Sequence, residues 1–420
     1  MRVLVVGGGA REDALSWRIA ASPSCEAVFA APGNAGTATR GENWSVAATD
    51  GKELAKKCVD ERVDLAVLGP ETAIAAGVGD RLRKAGIAVF GPNRSAGRLE
   101  SSKIFAKRFM QRHDIRSARA SVVHSLDGAL RALDRHGDAV AIKADGLASG
   151  KGVVVARDRA SAQATLGAWY GSGHVPGGGN DVLIEELLEG RELSFFALSD
   201  GSQLVPLAAA CDYKRAGDGD TGPNTGGMGA YSPPRGFPEN FEQVVREQIL
   251  EPVRRGLAEE EEPYIGVLYC GLMWTREGPS VIEFNARFGD PEAQVLLPRI
   301  EGDFARLLHA TATGRLDPRA IVLSGDACVG VVLATGDYPA SATPLRGVAA
   351  PRVKDGCWIF WGNSTRRDGW IDAAGGRVLT LCAMGNDVER ARARAYDGVH
   401  ALAAELGACD LTYRTDIAAR

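Results

Sequence analysis

DYKRAGDGDTGPNTGGMGAYSP, Asp212 to Pro233, and VIEFNARFGDPE, Val281 to Glu292, are the stretches around which this chain of 420 residues is organised. The second reads as a strand, because Val281, Ile282 and Phe284 are apolar, and its end presents Glu283, Asn285, Arg287, Asp290 and Glu292 within ten residues. A strand end crowded with carboxylates, one amide and one guanidinium suits Mg²⁺ and phosphate better than it suits a core. A solvated strand-end turn is the competing reading, and a lone E-x-N would not displace it. Two other features do. The Asp212 stretch is a polar, glycine-rich loop with Asp218, Asp220, Asn224 and Thr225, whose glycines permit close approach of backbone to a ligand. Upstream stand Lys103, then Lys143 in AIKADGLASGKG, then Lys151. Together they point to nucleoside triphosphate chemistry.

Composition fits an ordinary globular protein: 45% hydrophobic, 24% charged, formal net charge −4. The length exceeds one core and predicts roughly two to four domains. Arginines are scattered and form no basic stripe, so no nucleic-acid surface is expected. Eight cysteines without a C-x-x-C read as buried thiols in a reducing compartment, neither a disulfide framework nor a zinc site. The six histidines are equally dispersed, which argues against a histidine metal site or triad. No apolar run approaches the ~18 residues of a membrane span. The chain opens at once on a strand, MRVLVVGGG, so no leader is expected and the cytoplasm is the default.

Residues 1–100 alternate strand and helix. Val3 to Val6 form a continuous apolar run, as in a parallel strand buried on both faces. Further strands are expected at Ala27 to Ala31, Leu65 to Leu68 and Ala88 to Phe90, with Ile74, Val78 and Leu82 marking one face of a helix. This is the pattern of an open α/β sheet. Its glycine loop, GGGARE, has Glu12 where a dinucleotide fingerprint needs a third glycine. What survives is an anion-favouring helix N-terminus at Gly9 with Arg11 nearby, or a plain tight turn. The loops APGNAG, with Asn34, and GPE, with Glu71, also sit at strand ends, which converge on one crevice in such a sheet.

From about residue 101 the texture changes. A helix with Ile104, Phe105, Phe109 and Met110 on one side leads to a short α+β stretch. There the strands AIKA (Ala141 to Ala144) and VVVA (Val153 to Ala156) flank DGLASGKG, making a hairpin able to fold over phosphates. Lys143 and Lys151 would serve as point charges, and Gly150 and Gly152 would let the loop close. It is not a P-loop, since Gly152 follows Lys151 where Ser or Thr is needed. A surface role is the plainer alternative for Lys143. VPGGGN, Val175 to Asn180, reads as a mobile loop tip. In VLIEELLEGRELSFFAL, Glu185 and Glu186 followed by Leu187 and Leu188 offer backbone groups for a purine edge and apolar cover; Glu192 or Glu186 could serve a ribose. A glutamate pair at a strand end is otherwise just solvated. Residues 241–257 read as a helix, GVLYCGLMW and SVIEF as a hairpin, and the end of the chain as three strands and a helix from Asp387 to Leu406 capped by Asn386 with Glu389.

In this order, the glycine loop, Lys103, AIKADGLASGKGVVVA, IEELLEGRELSF, DYKRAGDGDTGPNTGGMGAYSP and IEFNARFGDPE resemble the phosphoribosylamine–glycine ligase family of purine biosynthesis over essentially the whole chain. DGDTGPNTGGMGAYSP and RFGDPE are specific to that family within the broader ATP-grasp group. The resemblance implies an α/β fold in four parts: an N-terminal α/β domain (1–100), an ATP-grasp body (101–120 and 189–324), a small mobile α+β lid (121–188) and a C-terminal α+β domain (325–420). It also implies that the glycine carboxylate attacks the γ-phosphate of ATP, and that the amine of phosphoribosylamine then displaces phosphate from the acyl phosphate. Mg²⁺ (or Mn²⁺) would sit on Glu283 and Asn285, while Lys103, Lys143 and Lys151 steady the transferring group. Arg287, Asp212, Lys214, Asp220, Asn224, Thr225 and Asp290 are candidates for holding substrate, with Gly9, Arg11, Glu12, Asn34 and Glu71 across the crevice. Arg287, Lys143 and Asp212 are the candidates nearest the chemistry. The partners expected are small molecules alone, with no nucleic acid and no membrane, and the chain is expected as a monomer or weak homodimer.

The chain departs from the family in places. Its first loop usually reads G-G-R-E-H and here is Gly9, Ala10, Arg11, Glu12, Asp13; F-H-A-G-T is replaced by Phe360, Trp361, Gly362, Asn363, Ser364; D-I-G is Asp416, Ile417, Ala418. A carboxylate at Asp13 is unfavourable beside a sugar phosphate. The ATP half is intact and the acceptor half altered, so two readings stand: the purine enzyme itself, or a paralogous ligase passing an activated amino acid to another amine.

Overall fold

The computed structural model describes residues 1–148, 152–260, 263–351, 353–406 and 410–419. Gly150 and Lys151 lie outside them. The chain begins with five strands, β1 (Arg2–Gly7), β2 (Ala27–Pro32), β3 (Glu42–Asn43), β4 (Leu65–Leu68) and β5 (Ala88–Phe90), in a parallel sheet of order β3-β2-β1-β4-β5. Val3 to Val6 are fully buried, because both faces of β1 are covered. Burying each such side chain contributes about 2 kcal/mol, an upper figure given a partly collapsed unfolded chain. Strand order reverses about β1, so the loops after β1, β2 and β4 open into one crevice at the carboxyl end of the sheet.

Ile74, Val78 and Leu82 are all buried, yet they belong to two helices, Glu71–Ala75 and Val78–Lys84. Gly77 separates them with φ of 71°, a conformation that glycine adopts without a Cβ penalty. The periodicity reported burial and missed the break.

A second, antiparallel sheet is formed by β6 (Ala120–Val123), β7 (Val140–Ala144), β8 (Val153–Ala156) and β9 (Val182–Glu186), in order β6-β9-β7-β8. Helices Leu126–His136 and Arg159–Gly171 bury Ala129, Leu133, Ala162 and Leu166 against it. Val175, at the start of the VPGGGN tract, is buried in this core and bridges to Gly179, so the tract is anchored at its base.

The body contributes β10 (Arg191–Asp200), β11 (Leu204–Asp212), the small hairpin β12 (Arg215–Gly217) and β13 (Thr221–Asn224), then β14 (Gly229–Ser232), β15 (Ile265–Thr275) and β16 (Gly278–Asn285). Beyond them lie β17 (Ala327–Thr335), β18 (Leu345–Ala349), β19 (Cys357–Trp361), β20 (Ser364–Arg367), β21 (Trp370–Ala373), β22 (Arg377–Gly385) and β23 (Leu411–Thr412). One nine-stranded sheet runs β16-β15-β10-β11-β14-β17-β22-β19, with β23 on β17, and β18-β21-β20 form a separate three-stranded sheet. The pairing of β14 with β17 carries the sheet from the body into the C-terminal part, so the end of the Asp212–Pro233 stretch is the seam. Residues 241–259 are helical with a π turn at Arg246–Leu250, and Val245, Ile249, Val253 and Leu257 face inward. The last helix, Val388–Leu406, is capped by Asp387, whose Oδ1 accepts from Arg390 N at 2.7 Å, and not by Asn386.

Candidate active site

The apolar alternation of β16 ends as the strand leaves its antiparallel pairing with β15, and the chain turns under the N-terminal crevice. Asn285 Nδ2 lies 3.4 Å from Glu283 Oε1, and Arg287 Nη2 donates to Asn285 Oδ1 at 3.3 Å. The Arg287 guanidinium is clamped from across the crevice: Nη2 is 2.8 Å from Glu100 Oε1 and Nε 3.4 Å from Glu71 Oε2. Burial pushes the Glu100 carboxyl up, with Arg287 opposing. At Glu71 burial is outweighed by Arg287 and Arg11, which hold it below the usual range. Nothing about Glu100 in the sequence marked it, since it lies in an ordinary helical turn.

Lys143 and Lys103 come together beside Glu283. Lys143 Nζ donates to Ile282 O at 2.8 Å and pairs with Glu185 Oε2 at 2.6 Å, joining β7, β9 and β16 at one point. Lys103 Nζ donates to Gly146 O at 2.9 Å, at the mouth of the glycine loop, and burial lowers its pKa against the pull of Glu283 and Asp145. Burial would raise the Glu283 carboxyl, but Lys214, Lys143, the Asn285 amide and Lys103 more than offset it, and the group stays ionised. Glu185 turns inward to lysines, Glu186 is bound to Arg119 at 2.7 Å, and Glu192 to Lys214 at 3.0 Å. Leu188 stands half-buried between β9 and β10, and Gly152 O accepts from Ala144 N at 2.8 Å.

Asp212 is pushed up to about 7 by burial; Lys214 opposes this, and Glu292, Glu192 and Glu283 reinforce it. At Lys214 burial acts downward, but Asp212 and Glu192 prevail and hold the ammonium charged. Thr225 stitches the loop, its N and Oγ1 donating to Lys214 O at 2.7 and 2.9 Å. Asp220 and Asn224 lie on the β12–β13 hairpin. Thr221 to Asn224 are exposed, and Asp220 accepts from the buried Arg414 at 2.8 Å. Asp218 accepts from Thr415 N at 2.8 Å, so the chain end clasps this hairpin.

Between the N-terminal and C-terminal parts lies a cavity of about 200 Å³ lined by Gly9, Ala10, Asp290, Gly362, Asn363, Arg377, Leu379 and Thr380. Asp290 is held below the usual range, burial being outweighed by Arg377, Arg11 and the Gln294 amide. Arg377 Nη1 is 3.2 Å from Asp290 Oδ1 and donates to Gly226 O at 2.8 Å. At the start of the first helix Glu12 accepts from Gly9 N at 2.6 Å and from Arg11 Nε at 2.7 Å. Arg11 is buried, with Nη1 donating to Phe288 O. Asn34 Nδ2 donates to Trp361 O at 2.7 Å and to Gly9 O at 3.0 Å, tying the crevice to β19.

Two of the departures turn out to be one contact. Trp361 N donates to Asp13 Oδ2 at 2.8 Å, and the carboxyl is fully buried and absent from the cavity wall. Burial pushes it up to about 7 against the Trp361 N–H and Arg40. Ala418, in place of glycine, has φ of 57°.

Family models of the phosphoribosylglycinamide synthetase N domain, ATP-grasp (A) domain and C domain match residues 1–100, 101–293 and 328–420. The chain is 44% identical to the phosphoribosylamine–glycine ligase of Agrobacterium fabrum, over 94% of each chain, and 42% identical to that of Escherichia coli O157:H7 at the same coverage. The crystal structure of the Thermotoga maritima phosphoribosylamine–glycine ligase superposes with a TM-score of 0.84 at 31% identity, covering 99% of this chain and 100% of the other. The biotin carboxylase domain of Hydrogenobacter thermophilus 2-oxoglutarate carboxylase, crystallised with MgADP, ADP and bicarbonate, shares the fold with a TM-score of 0.73 at 16% identity, over 98% of this chain and 90% of that one.

Proposed function

The chain belongs to the phosphoribosylglycinamide synthetase family, and from that premise we propose how its residues divide the work of a phosphoribosylamine–glycine ligase. The enzyme is an ATP-dependent carbon–nitrogen ligase of purine biosynthesis. It joins the glycine carboxylate to the amine of 5-phosphoribosylamine, yielding glycinamide ribonucleotide, ADP and phosphate. The paralogous reading is not favoured, since relatives carrying this function match the chain nearly end to end.

One observation carries the assignment of residues. Lys143 of the lid donates to Ile282 O, the residue before Glu283, so the phosphate-binding lysine and the metal-binding carboxylate meet at one strand end. Glu283 stays ionised, and Asn285 Oδ1 keeps a lone pair beyond its bond to Arg287. Among the described residues no group of three or more His, Cys, Asp or Glu could hold a metal. One carboxylate and one amide oxygen, completed by substrate phosphates, is the donor set Mg²⁺ accepts. Bound there, the ion supplies charge neutralisation to the triphosphate.

Lys143 and Lys103 hold the phosphates, with Lys151 as a third cation, and the turn from Glu186 to Leu188 receives the adenine. Asp212, Lys214 and Arg287 orient the amino acid so that one carboxylate oxygen faces the γ-phosphorus. No protein nucleophile is needed, because the residues position and neutralise charge. The cavity beside Ala10 and Asn363 receives the phosphoribosylamine, its walls bringing Asp290 and Arg377 to a sugar and its phosphate. No helix among the described residues is long and apolar enough to cross a membrane; we place the enzyme in the cytoplasm, as a monomer or weak homodimer. The test is ADP release with ATP, Mg²⁺ and glycine, with and without freshly generated phosphoribosylamine. Strong stimulation is expected, and glycine-dependent turnover indifferent to phosphoribosylamine would overturn the acceptor assignment.

A further inference from the structure

Lys107 lies one helical turn after Lys103 on the Lys103–Arg112 helix, so the two side chains leave the same face. Lys107 is 2% exposed, and its Nζ pairs with Glu185 Oε1 at 2.6 Å and donates to Ala118 O at 2.8 Å. The other oxygen of Glu185 holds Lys143, and these two residues are 3% and 5% exposed. Two ammonium groups therefore share a single carboxylate out of water.

Buried ions are costly, and an apolar side chain would fill the Lys107 slot at lower electrostatic cost, so packing alone does not call for a lysine there. Its effect falls on Lys143. With Lys107 absent, Glu185 would pair one to one with Lys143 and neutralise it. With Lys107 present, the carboxylate is divided and positive charge is left over beside the strand end that receives the phosphates. Lys143 spends two donors on Glu185 and Ile282 O, leaving the third for an incoming anion.

We propose that Lys107 is a positioning residue of the ATP site: by sharing Glu185 it keeps the charge of Lys143 available to the phosphates. This rests on the assignment of Lys143 to the triphosphate.

The test measures the affinity of the wild type, Lys107→Met, Glu185→Gln and the double variant for a non-hydrolysable ATP analogue with Mg²⁺ by calorimetry. KM and kcat are measured alongside, and folding is checked by circular dichroism. Lys107→Met is expected to weaken binding about tenfold, the scale of one unit charge acting through a shared partner. KM for ATP should rise while KM for glycine holds. Adding Glu185→Gln should restore affinity to within about threefold of wild type, because a neutral amide no longer cancels Lys143. A packing role would give no such rescue. Unchanged affinity in a folded Lys107→Met protein, or a double variant as weak as the single one, overturns the proposal. Should Lys107→Met not fold, Glu185→Gln with and without it carries the test: equal affinities are expected, and a further tenfold loss overturns it. A wild type that fails to bind the analogue refutes the ATP-site assignment itself.

Discussion

Asp13→Asn should reverse sign with pH. The carboxyl is 0% exposed, Oδ2 accepts from Trp361 N, and Oδ1 has no partner among the described residues. Burial raises it from 3.8 to about 7. Between those values the folded protein binds a proton that the unfolded chain has lost, so stability is fully present below the unfolded value and falls as pH rises toward 7. From pH 5 upward about two units of this window remain, which at about 1.36 kcal/mol each sets a ceiling of ~2.7 kcal/mol. Relaxation around a buried charge lowers this to about 2 kcal/mol. Asparagine keeps the acceptor for Trp361 and never ionises, at a cost of about 1 kcal/mol for an unpaired N–H. The variant should thus be about 1 kcal/mol less stable than wild type only below the unfolded value of 3.8, match it at about pH 4.5, and gain about a further 2 kcal/mol on it between pH 5 and pH 8. Asp212 titrates in the same range in both proteins, so the difference isolates Asp13. Urea denaturation at pH 5, 6, 7 and 8 reads it directly. Parallel stability curves would refute the reasoning.

Glu283→Ala should cut turnover by about 10²–10³ with the fold intact by circular dichroism; near-wild-type turnover at saturating Mg²⁺ would remove Glu283 from the metal site. Asp220→Asn should lower stability by about 1 kcal/mol, since the buried Arg414 retains Asp416 at 2.6 Å. KM for glycine should stay within about twofold, and a tenfold rise would return that carboxylate to the substrate. Ala418→Gly should raise stability by about 0.5–1 kcal/mol by relieving the left-handed backbone at φ 57°; a lower melting temperature would show that the Ala418 methyl packs productively.

What could be read from the sequence was local. The strands β1, β7, β15 and β16 announced themselves by apolar runs or alternation, and Glu283, Asn285 and Arg287 are neighbours in sequence before they are neighbours in space. What could not be read depends on long-range pairing. The sequence shows Glu185 at a strand end without showing that both oxygens face lysines, one of them on a helix far upstream. It shows Arg287 at the strand end without showing that Glu71 and Glu100 hold its guanidinium from across the crevice. Asp13 looked like a liability beside a phosphate, and folding turned it toward the Trp361 amide instead. The helix cap at Asp387 and the break at Gly77 are backbone events of one residue, below the resolution of periodicity.

The central claim is that the residues around Glu283 and Lys143 bring a glycine carboxylate oxygen onto the γ-phosphorus before the amine arrives. Glycine labelled with ¹⁸O in its carboxylate tests this in a single turnover mixture with ATP, Mg²⁺ and phosphoribosylamine, the released phosphate being analysed by mass. One labelled oxygen in each phosphate is predicted, because that oxygen leaves with phosphorus when the amine takes the carbonyl. Unlabelled phosphate alongside glycinamide ribonucleotide would contradict the account.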